Sequence, residues 1–143
     1  MAVKDPAAWV RNVERLYRAC DADGVSALYA PDARTRFGGR LFTPEEVHRH
    51  PGEWFGSLAD YQIRRTFRAA FGDIIVSETT ASYVKKSVEA AAIGDERYRA
   101  GERYREYGVD IYWVDDAGSI YHKHTLEVVE PHAQQEPEEP DHP

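Results

Sequence analysis

The chain has 143 residues, 42% of them hydrophobic, and 18 basic against 25 acidic residues give it a net charge of -7. That length suffices for one domain that buries roughly 70% of its unfolded surface and encloses a pocket. The acidic balance disfavours a phosphate backbone as partner, and the single cysteine, Cys20, excludes an intrachain disulfide and a cysteine-rich zinc cluster.

No signal-peptide pattern precedes Trp9, and no apolar run approaches the ~20 residues of a membrane span. A soluble, cytoplasmic protein with neither nucleic acid nor membrane as partner is the expectation. Asp5 as N-cap and Pro6 at the first helical position open a helix, and Val10, Val13, Leu16, Tyr17 and Cys20 fall at helical spacing along one apolar stripe. Gly24 suits the end of that helix, and "GVSALYAP" forms one or two further turns before Pro31. "ARTRF" reads as a short strand that "GG" breaks. Thr43 caps "PEEVHRH", but Pro51 and Gly52 interrupt the pattern, so a broken helix with "EWFGSLADY" as an offset second segment is expected.

The remainder is strand-rich. "YQIRRTFRAAF" and "IIVSETTASYVKK" flank Gly72-Asp73, the glycine-first loop of a type II′ hairpin. "DDAG" joins "YGVDIYWV" to "SIYHKHTLEVVE" in a second hairpin with Gly118 at the left-handed position. Between the hairpins, residues 87–104 keep no single period and read as an ordered loop or irregular strand extension. The end, "PHAQQEPEEPDHP", is acidic and proline-rich and buries too little to offset its ordering entropy. The domain is therefore placed at 1–130, with a disordered tail at 131–143. Helices first and long antiparallel strands after them give an α+β layer architecture.

With "LYRACDADGVSALYAPDA" leading into a strand and "WVDDAGSIYHKHTLEV" near the end, the chain resembles the nuclear transport factor 2-like superfamily, and its SnoaL-like members in particular. The resemblance covers residues 5–130 and implies a cone: a curved mixed or antiparallel sheet wrapped around N-terminal helices and enclosing an apolar pocket. It also implies homodimers. The fold hosts isomerases, polyketide cyclases, dehydratases and epoxide hydrolases beside non-catalytic binders, so fold alone selects none of them.

Strand alternation puts Asp110, Tyr112 and Val114 on one side and Val109, Ile111 and Trp113 on the other. The resemblance aims Asp110 into the pocket as a carboxyl that stays protonated and donates a hydrogen bond, as in ketosteroid isomerase, the standard instance of that effect. The alternative is a structural partner of Lys123. The same alignment turns Tyr121, Lys123, Thr125 and Glu127 inward and leaves Val109, Ile111, Trp113, Ile120, Leu126 and Val128 as an apolar outer face, read as the homodimer interface on the convex side of the sheet.

His50 is expected as a proton shuttle, or else as an exposed histidine where its helix ends. Tyr17 and Tyr29 fall where the family points phenols into the pocket, or else belong to the core. Phe37 occupies the place of the isomerase general base and Thr125 stands near that of an epoxide-hydrolase aspartate, so neither mechanism carries over whole. Substrate contacts are expected from Phe37, Trp54, Phe55, Tyr112, Lys123 and Thr125, with Tyr61, Phe67 and Phe71 adding to the pocket wall. His122 and His124 share a strand face but find no third metal ligand, and no metal is expected. Arg97, Arg99, Arg103 and Arg105 read as a solvated charged loop offset by Glu96, Glu102 and Glu106, or as a gate for an anionic substrate.

The resulting expectation is cofactor-free acid-base chemistry on a small apolar or aromatic, oxygenated or cyclic ligand, by isomerisation, dehydration or cyclisation. The alternative is a binding or accessory dimer that uses the same cup without catalysis.

Overall fold

The computed structural model describes residues 3–88 and 97–132. Helix α1 spans Pro6–Arg18, with the Asp5 carboxylate accepting from the Ala8 amide at its start. It buries Val10, Val13 and Leu16, as its periodicity predicts. Its end differs from expectation. Cys20, not Gly24, takes the left-handed position at φ 50°, and it lies exposed past the stripe. The amides of Cys20 and Asp21 return to the carbonyls of Tyr17 and Leu16, the pair of bonds that closes a Schellman turn. Gly24 instead sits inside the short helix α2, Ala22–Ser26, whose cap Asp21 accepts from its amide.

Strand β1, Tyr29–Phe37, begins before Pro31 and so is longer than "ARTRF"; β2 is the two-residue Arg40–Leu41. Helix α3, Pro44–Gly56, opens with a Thr43/Glu46 capping box and runs unbroken through Pro51. The expected break is absent because Val47, Pro51 and Phe55, four residues apart, form one buried stripe. Burial of that stripe outweighs the loss of a single proline N–H bond. The offset helical segment is likewise absent, since β3, Leu58–Phe71, starts only two residues later.

Both hairpins form. Phe71 pairs with Ile74 across Gly72 (φ 56°), leading from β3 into β4, Ile74–Lys85. Gly72 alone has positive φ in that two-residue loop, the pattern of a type II′ turn. Strands β5, Glu102–Val114, and β6, Ile120–Pro131, are joined through Gly118 at φ 82°, with the Asp115 carboxylate accepting from the amides of Ala117 and Ser119. Pro131 still pairs with Tyr104, so the strand outruns the boundary expected at 130. The His132 amide still bonds the Arg103 carbonyl; residues 133–143 of the expected tail, and residues 89–96 of the expected loop, lie outside the described residues.

The strands form one mixed sheet in the order β2-β1-β6-β5-β4-β3, in which β1 and β6 run parallel and the other pairs antiparallel. The fold is an α+β cone whose sheet is not closed. Its core lies between the helices and the sheet's inner face: Val10 of α1 packs on Ile75, Tyr112, Val114 and Ile120, and Leu16 packs with Val25 and Phe55.

One register detail corrects the expected alternation of β6. Trp113 pairs with His122 and Val114 with Ile120, so Tyr121 is the extra residue of a bulge. Beyond the bulge Lys123, Thr125 and Glu127 point inward as expected. Before it the sense reverses: Ile120 is fully buried and Tyr121 is 40% exposed. The outer face keeps Val109, Ile111 and Trp113 half-buried and Leu126 and Val128 exposed. No helix among the described residues is long and apolar enough to cross a membrane.

Candidate functional site

Strand register assembles the site in rungs across the inner face. Tyr112 of β5 pairs with Lys123, which pairs with Thr35. One rung on, Ser77, Asp110, Thr125 and Phe37 stand in line. The next holds Arg65, Thr79, Gly108 and Glu127, and the one after places Glu106 beside Ala81 and Val129. Every second residue of β5 from 106 to 112 thus lies on the inner face of the sheet, and Glu106, Gly108 and Asp110 border the same hollow.

Asp110 is 3% exposed and fully engaged. Arg65 Nη1 donates to its Oδ2 at 2.7 Å, and the Thr79 hydroxyl donates to the same oxygen at 2.6 Å. Thr125 donates to Oδ1 at 2.8 Å, and the Lys123 ammonium stands 3.7 Å away. Burial by itself raises the pKa of this carboxyl, but the charges of Lys123 and Arg65 and the two threonine bonds outweigh it and hold the group at about 2. Asp110 is therefore an ionised acceptor. This overturns the expectation of a protonated donor, which considered burial without the cations beside it. Arg65 also donates to Thr79 (3.1 Å) and the Tyr112 hydroxyl (2.7 Å), and its guanidinium lies 4.1 Å from the centre of the Tyr17 ring.

The second buried acid of this site is Glu106. Its side chain is 7% exposed on the cavity wall. Burial first, then the charge of Glu127 and a hydrogen bond with it, then Asp110, raise its carboxyl well above the ordinary glutamate range, with Arg65 opposing. Arg97 ties the other end of this pair, donating to Glu127 at 2.5 Å. The sequence reading assigned Glu106 to a solvated loop; the signal it missed was the shared parity of residues 106, 110 and 112. Gly108 sits between the two acids, and a Cβ there would lie 3.2 Å from that of Glu127.

These groups border a cavity of about 90 Å³. Of the expected residues, Asp110, His50, Tyr17, Tyr29, Phe37, Trp54, Lys123 and Thr125 line it. Two expected contacts do not. Phe55 is drawn into the core against Leu16 and Val25 and stacks edge-on with Tyr17; Tyr112 is held under the cavity floor between Val10, Ile75 and the Arg65 bond. Tyr61 reaches the wall, whereas Phe67 packs against the Val10 cluster and Phe71 is 59% exposed.

His50 lies among aromatic rings, with centroids 5.6 Å from Phe42, 6.3 Å from Trp54 and 6.5 Å from Phe37. The Tyr17 and Tyr29 hydroxyls make no hydrogen bond to a described residue. Burial raises the Tyr29 pKa, so the phenol stays a donor.

His122 and His124 face outward, with the His122 ring 4.8 Å from that of Trp113. Among the described residues no group of three or more His, Cys, Asp or Glu is placed to hold a metal ion. The four arginines separate. Arg103 pairs with Asp60 and Arg105 with Glu130 at the surface, and Arg99 borders a groove away from the cavity. Arg97 lines the cavity itself, over the Phe37 ring at 4.9 Å.

No protein-family model matches the chain, and no curated protein matches it. Solved structures do. The chain is similar to an NTF2-like protein of unknown function from Exiguobacterium sp. 255-15 (12% identity, TM-score 0.62, 88% of this chain and 99% of that one). It is also similar to IdmH, a putative polyketide cyclase from Streptomyces antibioticus (16%, 0.60, 86% and 91%). A third similarity is to SalBIII, an epoxide hydrolase/cyclase-like enzyme with a role in pyran ring formation in the polyether salinomycin (15%, 0.66, 90% and 98%). At these identities the likeness is one of fold.

Proposed function

On the nuclear transport factor 2-like fold that this chain has, we propose an enzyme performing cofactor-free acid-base chemistry, by isomerisation, dehydration or cyclisation, on a small oxygenated or cyclic metabolite. The observation that carries the reading is the Glu106 carboxyl, buried on the wall of an aromatic-lined cavity beside Glu127 with its pKa raised there, four residues and roughly 13 Å of strand from Asp110, whose pKa is lowered. Two carboxyls whose environments push their pKa values apart are the usual preparation for proton transfer.

Glu106 gives a proton to a substrate oxygen, and His50 accepts one from carbon. In a dehydration the protonated hydroxyl leaves as water; in an isomerisation the proton returns at another carbon, so no redox step enters. Tyr17 and Tyr29 donate hydrogen bonds to the developing oxyanion. Asp110 fixes Arg65 and Lys123 rather than reacting. The similarity to the cyclase-like proteins supports this reading without deciding among reactions. The test is a thermal-shift screen of cyclic ketones, acids, polyketides and terpenoids, followed by turnover assays of the hits. Glu106→Gln is expected to lower kcat by about 10²–10⁴-fold while retaining binding; unchanged kcat removes the proposal.

A second reading, a non-catalytic binder, draws on the complete engagement of Asp110 by four partners. Ligands that bind tightly and are never turned over would select it. In either case the proposed assembly is a homodimer through the outer face of β5 and β6, where Leu126 is 56% and Val128 64% exposed beside Ile111 and Trp113. Light scattering checks it: Val128→Lys is expected to yield monomers.

A further inference from the structure

We propose that Lys123 anchors a carboxylate of the ligand, so that this cavity takes small cyclic acids in preference to their neutral counterparts. The inference rests on the cavity being the active site proposed above and names its substrate class.

Lys123 lines the cavity and is 7% exposed, with its ammonium 5.4 Å from the Tyr112 ring centre. An ammonium carries three donors. Among the described residues, its nearest ionic partner is Asp110 Oδ1 at 3.7 Å, beyond hydrogen-bond reach, and its ammonium donates no hydrogen bond. That oxygen is already bonded by Thr125, and the other carboxylate oxygen by Arg65 and Thr79. One carboxylate thus serves two buried cations, hydrogen-bonding to Arg65 through Nη1 alone and to Lys123 not at all.

The remaining acids do not supply the missing partner. Glu127 is tied to Arg97, and Glu106 is turned to Glu127, its pKa raised by burial and by that neighbour's charge. The Lys123 ammonium opens onto the cavity with donors to spare, so an acceptor of opposite charge seated there reaches it. Tyr17 and Tyr29 border the same space, near enough to act electrostatically on Lys123, with hydroxyls not engaged by any described residue. A ligand carboxylate placed there meets a point charge and two phenolic donors. Its carbon frame then rests against Phe37 and Trp54, on the scale of a single ring.

The test is calorimetric titration of the wild-type chain with three matched pairs: acetate and acetamide, benzoate and benzamide, cyclohexanecarboxylate and its amide. At least one acid is expected to bind tenfold or more tightly than its amide at pH 7, and Lys123→Met to erase that preference while Lys123→Arg retains part of it. If no acid outbinds its amide, or if the preference survives in Lys123→Met, the proposal is overturned. The wild-type comparison decides even where a variant fails to fold. Acid-selective binding without turnover of any hit would leave this inference standing and remove the enzymatic one; turnover of neutral ketones without acid preference would do the reverse.

Discussion

Asp110 and Glu106 stand four residues apart on one strand, face one cavity and are almost equally buried, at 3% and 7% exposure, yet their pKa values are shifted in opposite directions. Burial raises both. What differs is the company each keeps. Asp110 has two cations and two hydroxyl donors; Glu106 has another carboxyl as its close partner and a more distant guanidinium. The partner inventory, not depth, decides whether a buried acid is ionised.

The strongest way to break this contrast is to remove the cation that Asp110 depends on. Arg65→Met leaves a buried carboxylate short of its main partner and deletes three hydrogen bonds. A loss of about 3–5 kcal/mol is expected in urea unfolding, with Arg65→Met/Asp110→Leu recovering most of it. A loss under about 1 kcal/mol would show that the cluster does not hold the sheet's inner face together.

Next in size is the acid limb of stability. Asp110 is depressed to about 2 from an ordinary 3.8. Its contribution is therefore present above about pH 4 and disappears as pH falls through about 2. It amounts to roughly 2 kcal/mol at neutral pH. Stability of the wild type should drop across that window relative to Asp110→Asn, whose own profile lacks that component.

Glu106 supplies the opposite sign. Because its folded pKa is raised, its contribution is complete below the ordinary glutamate value of 4.5 and is lost progressively as pH rises above it. Glu106→Gln keeps a donor for Glu127 and does not titrate. It should match the wild type near pH 4 and exceed it progressively as pH rises toward 8. Parallel profiles for the two proteins would mean that Glu106 is ionised and that the contrast with Asp110 is false.

Local chemistry made half of this contrast readable before any coordinates. Glycines at 72 and 118 mark their turns by needing positive φ, and the alternation of Asp110 and Tyr112 follows from strand geometry alone. The unread half depends on pairing between distant segments. Arg65 reaches Asp110 only through the register of β3, β4 and β5, 45 residues away in sequence. Nothing near Asp110 announces a guanidinium. Glu106 was hidden differently: "ERYRE" is dense in charge and reads as solvated, yet β5 starts at Glu102 and its pleat turns Glu106 inward. The bulge at Tyr121 and the passage of α3 through Pro51 were likewise decided by what the neighbouring elements bury, which no local window contains.

The smallest effect probes the gap between the two acids. Gly108 has no positive φ to protect, so alanine is compatible with its backbone and removes some unfolded-state entropy, worth about 0.4–1 kcal/mol. Against that gain, the new methyl meets the Glu127 Cβ and the Leu126 carbonyl oxygen, each at 3.2 Å, so Glu127 has to give by a few tenths of an ångström. Net stability at pH 4 should change by less than about 1 kcal/mol. The informative readout lies elsewhere. Moving Glu127 away from Glu106 weakens the repulsion and the hydrogen bond that raise the Glu106 carboxyl, so the decline of stability with rising pH should be shallower in Gly108→Ala than in the wild type. Superimposable profiles would show that Glu127 is not the neighbour that raises the Glu106 carboxyl, and would leave burial and the charge of Asp110 as the causes.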